Sequence, residues 1–263
     1  MKKNYKLILC YDGTAYCGWQ IQKNAKTVQG ELTKTLEIIT KNEIEITGVS
    51  RTDAGVHALG YVCNVFLDTS LSEFELFRSI NGVLDKDIRL MEISVCDDSF
   101  NARFDSLAKT YVYTIDNTYW GDPFLVKAAW HWGKTLDFEN MKKAAAFFVG
   151  TYDFSSFMSA GSSAKDFVRT IYDLKLSKND DIIKMEITGN GFLYNMVRII
   201  AGTLVCVGVG KIAPEEIPEI IERKDRNHRG ITAPPQGLAL KKVYYNEEEM
   251  LCLRKSHQSS NEY

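Results

Sequence analysis

The sequence predicts an α+β fold made of two similar blocks. Three observations carry that reading. Strand-like and helix-like stretches recur in two passes of the chain. Strand pairs are joined by short loops, as antiparallel pairing allows. The 263 residues, 45% hydrophobic and 25% charged, suffice for one large or two modest packed domains.

In the first pass, residues 5–11 read as a strand ending at the turn Asp12-Gly13. Residues 28–40 have helical spacing, with Thr27 as N-cap and Leu32, Leu36 and Ile39 on one face. Residues 44–50 alternate loosely through Ile44, Ile46 and Val49, and Tyr61 to Leu67 is a further strand. Residues 72–84 predict a helix capped by Ser72, with Phe74, Phe77, Ile80 and Leu84 inward. Strands at 88–95 and Thr110 to Ile115 end this pass.

The second pass opens near residue 128. Ala128 to Trp132 is strand-like and Phe138 to Val149 is an amphipathic helix. Residues 168–176 and 182–188 form a strand pair about the turn Lys178-Asn179-Asp180-Asp181. Helices from Tyr194 to Val209 and from Pro214 to Arg223 follow, and a strand from Leu238 to Tyr245 closes the pattern. The expected domains are 1–120 and 121–246, divided at Trp120-Gly121-Asp122-Pro123, with a polar, frayed tail over 247–263.

Composition excludes some classes and leaves others open. No long uncharged apolar run reads as a membrane span. Met1-Lys2-Lys3-Asn4-Tyr5 leads straight into a strand, without the apolar stretch of a signal peptide, so a cytoplasmic protein is expected. The six cysteines, Cys10, Cys17, Cys63, Cys96, Cys206 and Cys252, show no CxxC spacing and read as reduced thiols. No His/Asp/Glu/Cys cluster has ligand spacing, so no metal is expected. A net charge of −2 neither announces nor excludes a nucleic-acid partner, because phosphate binding needs local positive charge.

The chemistry concentrates in Ser50-Arg51-Thr52-Asp53-Ala54-Gly55-Val56-His57-Ala58, a loop between two strands. If residues 51–53 are extended, Arg51 and Asp53 project to one side. An arginine there favours an ionised carboxylate, and Gly55 permits a sharp turn. An oriented carboxylate on a supported loop can serve as nucleophile or base. From spacing alone, a hairpin turn with a surface ion pair is the commoner outcome, and His57 is as readily structural as functional.

Arg51-Thr52-Asp53-Ala54-Gly55-Val56-His57-Ala58 resembles the signature loop of the TruA family of tRNA pseudouridine synthases. Tyr11-Asp12-Gly13-Thr14 with Gly18-Trp19-Gln20 resembles that family's opening motif, and Thr27-Val28-Gln29-Gly30-Glu31-Leu32 the start of its first helix. Phe100-Asn101-Ala102-Arg103-Phe104 and Lys109-Thr110-Tyr111-Val112-Tyr113 resemble its central region. Asp153-Phe154-Ser155-Ser156-Phe157, Arg169-Thr170-Ile171, Gly191-Phe192-Leu193-Tyr194-Asn195-Met196-Val197-Arg198 and Ala233-Pro234-Pro235-Gln236-Gly237-Leu238 follow in family order. The likeness spans nearly the whole chain.

The resemblance implies two α/β-sandwich, ferredoxin-like halves with antiparallel sheets joined over a central active-site cleft, in a homodimer. It implies isomerisation of uridine to pseudouridine in the anticodon stem-loop of tRNA, at the tRNA positions called 38 to 40. The reaction is redox-neutral, so no cofactor is expected. Asp53 is the implied catalytic carboxylate and Arg51 its partner. Tyr111 is the implied active-site tyrosine, though Tyr113 lies on the same strand face. Arg198 is the second arginine, notable in its own right because its helix is apolar and a charge there is costly unless paired. Leu238 packs against the target base. His57, Arg103, Lys109 and Arg169 are candidate tRNA contacts. Ala239 and the doubled proline at Pro235 depart from the family pattern and bear on pocket shape. The competing readings are a paralogous synthase acting on another RNA, a catalytically silent RNA-binding protein on the same scaffold, and a metal-dependent enzyme.

Overall fold

Alternation of apolar and polar residues makes the first strand. In β1 (Lys3–Tyr11), Tyr5, Leu7, Leu9 and Tyr11 are buried while Lys6, Ile8 and Cys10 are half-buried on the other face. The computed structural model describes residues 2–161, 164–227 and 230–250. Its chain divides into two compact units, one running to Ala108 and resuming at Leu240, the other spanning Lys109–Ala239.

In the first unit, α1 (Val28–Thr40) starts at Thr27, whose side chain accepts the Gly30 N–H, and buries Leu32 and Leu36. Ile39 is only half-buried. β2 (Ile46–Gly48) is shorter than the sequence suggested, and β3 (His57–Leu67) begins four residues before Tyr61, at His57. α2 (Glu73–Val83) carries the full capping box of Ser72 and Glu75. Its inward stripe is Leu76, Ile80 and Leu84, spaced by four. Phe74 is instead exposed beneath Arg78, and Phe77 is half-buried. Phe74 and Phe77 belong to the neighbouring stripe, which the helix turns away from the core. β4 (Ile88–Val95) completes the described run. β1 pairs antiparallel with both β3 and β4, and β2 pairs antiparallel with β3.

β5 (Ala108–Asp116) starts at the last residue of the first unit's opening run and continues as the opening strand of the second, where it pairs parallel with the two-residue β6 (Trp130–His131). α3 (Phe138–Ala146) stops three residues before Val149. A strand not anticipated from the sequence, β7 (Gly150–Asp153), pairs antiparallel with β8 (Val168–Asn179). β8 pairs with β9 (Ile182–Gly189), and β9 with β5, both antiparallel. α4 (Met196–Gly208), expected from Tyr194 to Val209, is buried almost all round. α5 (Ile217–Arg223) follows a short 3₁₀ turn at Pro214–Glu216. β10 (Leu238–Tyr244) begins at the end of this unit, and from Leu240 its residues belong to the first unit, beside β3.

The compact units divide after Ala108 rather than at residue 120, and the last strand returns to the first unit. Turn residues at 120–123 mark a loop within the second unit, not a linker. Residues 247–250 form a helical turn, while 251–263, with Cys252 and the rest of the expected tail, lie outside the described residues. The other five cysteines are free thiols. Among the described residues no helix is long and apolar enough to cross a membrane.

Candidate active site

Asp53 lies half-buried on the loop from β2 to β3, between exposed Arg51 and exposed Ala54. Thr52 is buried between Arg51 and Asp53, the alternation expected of an extended chain. Several hydrogen bonds hold the loop. Thr52 Oγ1 lies 3.0 Å from the Tyr11 hydroxyl, and the Thr52 carbonyl accepts the Trp19 N–H at 3.2 Å. The Tyr61 hydroxyl donates to the Ser50 carbonyl at 2.6 Å. Trp19 stacks on Tyr61 with ring centroids 3.9 Å apart. Beyond Asp53 the chain turns back. The Val56 N–H donates to the Asp53 carbonyl at 3.2 Å, and the Gly55 N–H to the Tyr16 carbonyl at 3.2 Å. Gly55 has φ 77°, so the turn does need the residue that lacks a Cβ.

The bed under this loop is the segment 11–20. Asp12 Oδ1 accepts the Thr14 N–H at 2.9 Å and its hydroxyl at 2.5 Å, fixing a tight turn. The Gly13 N–H then donates to His57 Nδ1 at 3.0 Å. That nitrogen also lies 3.2 Å from Asp12 Oδ1. Nδ1 thus faces both the Gly13 N–H and the Asp12 carboxylate. His57 therefore has a structural task at the first residue of β3. Gly18, at φ 86°, passes so close beneath the loop that a Cβ would sit 2.3 Å from the Thr52 carbonyl oxygen.

The second unit builds its own cluster. Tyr111, on β5, is buried, and the ring of Phe192 meets it edge-on at 5.3 Å between centroids. Tyr113 faces the same way two residues on, but its hydroxyl donates to the Pro234 carbonyl at 2.7 Å and the side chain is fully buried. Burial pushes the Tyr113 hydroxyl far above its ordinary pKa, against a smaller downward pull from the Arg198 charge. Tyr113 is thus committed to packing, a distinction the sequence did not offer. The turn from Gly191 ends at Asn195, which adopts the left-handed conformation (φ 61°) just before α4. Asn195 Oδ1 accepts from Arg198 Nη1 at 2.7 Å, and Arg198 Nε donates to the Ala233 carbonyl at 2.8 Å. Two oxygens therefore orient a half-buried guanidinium on an otherwise apolar helix. Leu238, the first residue of β10, is buried.

Phe192, Asn195, Tyr11 and Thr52 are among the supporting residues that the sequence does not single out. All four lie in motifs quoted for the resemblance, so their positions were flagged while their tasks were not. The four candidate tRNA contacts have different settings. Arg103 is exposed on a loop tip. Lys109 is buried on β5. Arg169 is half-buried on β8, donating to the Val168 carbonyl at 2.6 Å with Asp166 3.8 Å away.

The sequence model of a family described as tRNA pseudouridine synthase matches residues 8–105 and 144–246, more than half of the chain. Tested against curated relatives, the chain is 48% identical over 243 residues to tRNA pseudouridine synthase A of Acetivibrio thermocellus, covering 92% of this chain and 100% of that one. It is 47% identical over 243 residues to the protein of the same name from a Thermoanaerobacter species, with the same coverage. A tRNA pseudouridine synthase A 2 from Clostridium tetani is 42% identical over 248 residues, covering 94% of this chain and 100% of its own.

Proposed function

The chain belongs to the tRNA pseudouridine synthase family and is an isomerase, and from that premise we propose that it works through Asp53 on uridines of the anticodon stem-loop. In the reaction the N1–C1′ bond breaks, the uracil turns, and a C5–C1′ bond forms. No atoms are gained and no electrons change hands, so acid–base and covalent steps suffice. Asp53 attacks the nucleoside or removes a ribose proton; both routes need one carboxylate held still.

The observation that carries this reading is the bracing of the Asp53 loop. The Ser50 and Thr52 carbonyls are both tied down, and the turn behind Asp53 is closed by two further backbone hydrogen bonds. A surface hairpin has no need of that support. Arg51 is proposed as the carboxylate's partner and as a wedge during base flipping, which its exposure suits. Tyr111 is proposed to stack on the flipped uracil and take part in proton transfer at C5, Leu238 to pack against the base, and Arg198 to hold the carboxylate. His57, Arg103, Lys109 and Arg169 complete the proposed tRNA contacts. The double ferredoxin-like arrangement, the homodimer, the cytoplasmic location and target positions 38 to 40 belong to the same proposal. They rest on the family likeness.

The test is pseudouridine mapping by carbodiimide on a tRNA transcript treated with purified protein. New modification confined to the anticodon arm supports the proposal. Modification only elsewhere refutes the target, and none at all refutes the activity on that substrate.

A further inference from the structure

The loop after β4 has more structure than a connection requires. Two asparagines are buried beneath it, Asn4 at 0% and Asn64 at 4% exposure. The Asn4 amide donates to the Asp97 carbonyl at 3.0 Å and the Phe100 carbonyl at 2.9 Å. The Asn64 amide donates to Asn4 Oδ1 at 3.0 Å, and Asn64 Oδ1 accepts the Ala102 N–H at 2.9 Å. The Tyr245 hydroxyl donates to the Ala102 carbonyl at 2.8 Å. Burying polar amides is unfavourable unless they are satisfied, and these are satisfied by this loop and by each other.

Past Ala102 the tip is closed on itself. Asn101 Oδ1 accepts the N–H groups of Arg103 and Phe104, at 3.0 and 3.1 Å. The Asn101 N–H donates to Asp105 Oδ2 at 2.8 Å, so the one carboxylate on the tip is engaged with the loop's own backbone. What the tip displays is Phe104, 79% exposed, with the Arg103 guanidinium 5.8 Å from its ring centroid. A rigid turn holding an exposed ring beside a cation is suited to a base and its phosphate, and costs little ordering on binding.

We infer that Phe104 is an RNA-stacking residue and Arg103 its phosphate contact, together a binding tip remote from the reacting uridine. Remoteness follows from β3. Asn64, which holds the tip, is seven residues along from His57 beside the Asp53 loop, about 23 Å at strand rise. The ligand chemistry is an unpaired or splayed base of the tRNA with its backbone phosphate. This rests on the tRNA-modifying reading above.

The experiment is filter binding of full-length tRNA transcript to the intact chain, over a series of salt concentrations, with isomerisation assayed in parallel. Phe104→Ala should weaken affinity about tenfold with the salt slope retained, and Phe104→Trp should restore most of it. Arg103→Gln should lower the log–log salt slope by about one. Affinity of Phe104→Ala equal to wild type overturns the inference. So does a change in sedimentation of Phe104→Ala with no change in tRNA affinity, which would make the tip a contact between protein copies. A wild-type chain that forms no pseudouridine would instead sink the reading on which the inference rests. Melting curves serve as the fold control, since Phe104 is too exposed for its loss to unfold the chain.

Discussion

Replacing Gly18 by alanine should slow the enzyme by displacing the backbone that carries Asp53, without changing any side chain proposed to meet the substrate. The new Cβ would lie 2.3 Å from the Thr52 carbonyl oxygen and 3.2 Å from the Asp53 carbonyl carbon. Real Cβ contacts stay beyond 3.0 Å, so the Thr52 carbonyl must retreat by at least 0.7 Å (3.0 − 2.3). That displacement also strains the 3.2 Å hydrogen bond from the Trp19 N–H. Gly18 sits at φ 86°, where a side chain adds about 1–2 kcal/mol, and local overpacking adds about 1–3 kcal/mol. A stability loss of about 2–5 kcal/mol is expected from the two together. A misplacement approaching 1 Å beside a catalytic group costs up to about 10²-fold in rate. The assay is a single-turnover rate at saturating tRNA, beside thermal melting and filter binding. Gly82→Ala is the control, since nothing lies within 4 Å of its Cβ, and on the α2 helix it should stabilise by about 0.5–1 kcal/mol. Should Gly18→Ala isomerise at the wild-type rate, the bracing of the loop would have no catalytic meaning.

Tyr111→Phe should cut the single-turnover rate while leaving tRNA affinity within a few-fold of wild type. Tyr113→Phe should spare the rate and instead cost about 0.5–1.5 kcal/mol of stability by removing the donor to the half-buried Pro234 carbonyl; interchanged results would put Tyr113 in the active site. Arg198→Lys should lower the rate nearly as much as Arg198→Met, because an ammonium cannot span the Ala233 and Asn195 oxygens as the guanidinium does; full rescue by lysine would contradict that geometry. The Asp116 carboxyl is raised by burial but lowered more by the Thr118 hydroxyl and the Asp122 and Thr118 N–H groups, leaving its pKa below the usual 3.8. Its contribution to stability is therefore present above that value and lost as pH falls through the lower native one. Urea titrations from pH 5 to pH 2 should show a shallower acid loss for Asp116→Asn than for wild type, and parallel curves would refute the assignment.

Strands with plain alternation, such as β1, and helices with strong caps, such as α1 and α2, were legible in the sequence because local chemistry decides them. What escaped was decided at long range. β7 exists because β8 offers it an edge, and its four residues are too few to show a period. The inward face of α2 turned on which of two apolar stripes met the sheet, so exposed Phe74 was misplaced. The division at residue 120 was suggested by turn residues, yet which unit a strand joins depends on pairing, and β10 joins residues far from it in sequence. At the site, the loop with Asp53 and the apolar setting of Arg198 could be read directly. The hydrogen bonds of Tyr11, Trp19, Tyr61 and Asn195 that hold them could not, because those residues look like ordinary core or turn positions until the chain is folded.

The account rests most heavily on Asp53 as the one group the chemistry cannot lose. Asp53→Asn preserves size and removes the charge, on a loop held by backbone contacts that the change does not touch. The measurement is the single-turnover conversion of uridine to pseudouridine in full-length tRNA, with filter binding on the same preparation. The account predicts tRNA affinity within a few-fold of wild type and no detectable product. Wild-type conversion by Asp53→Asn would contradict it and move the catalytic carboxylate elsewhere in the chain.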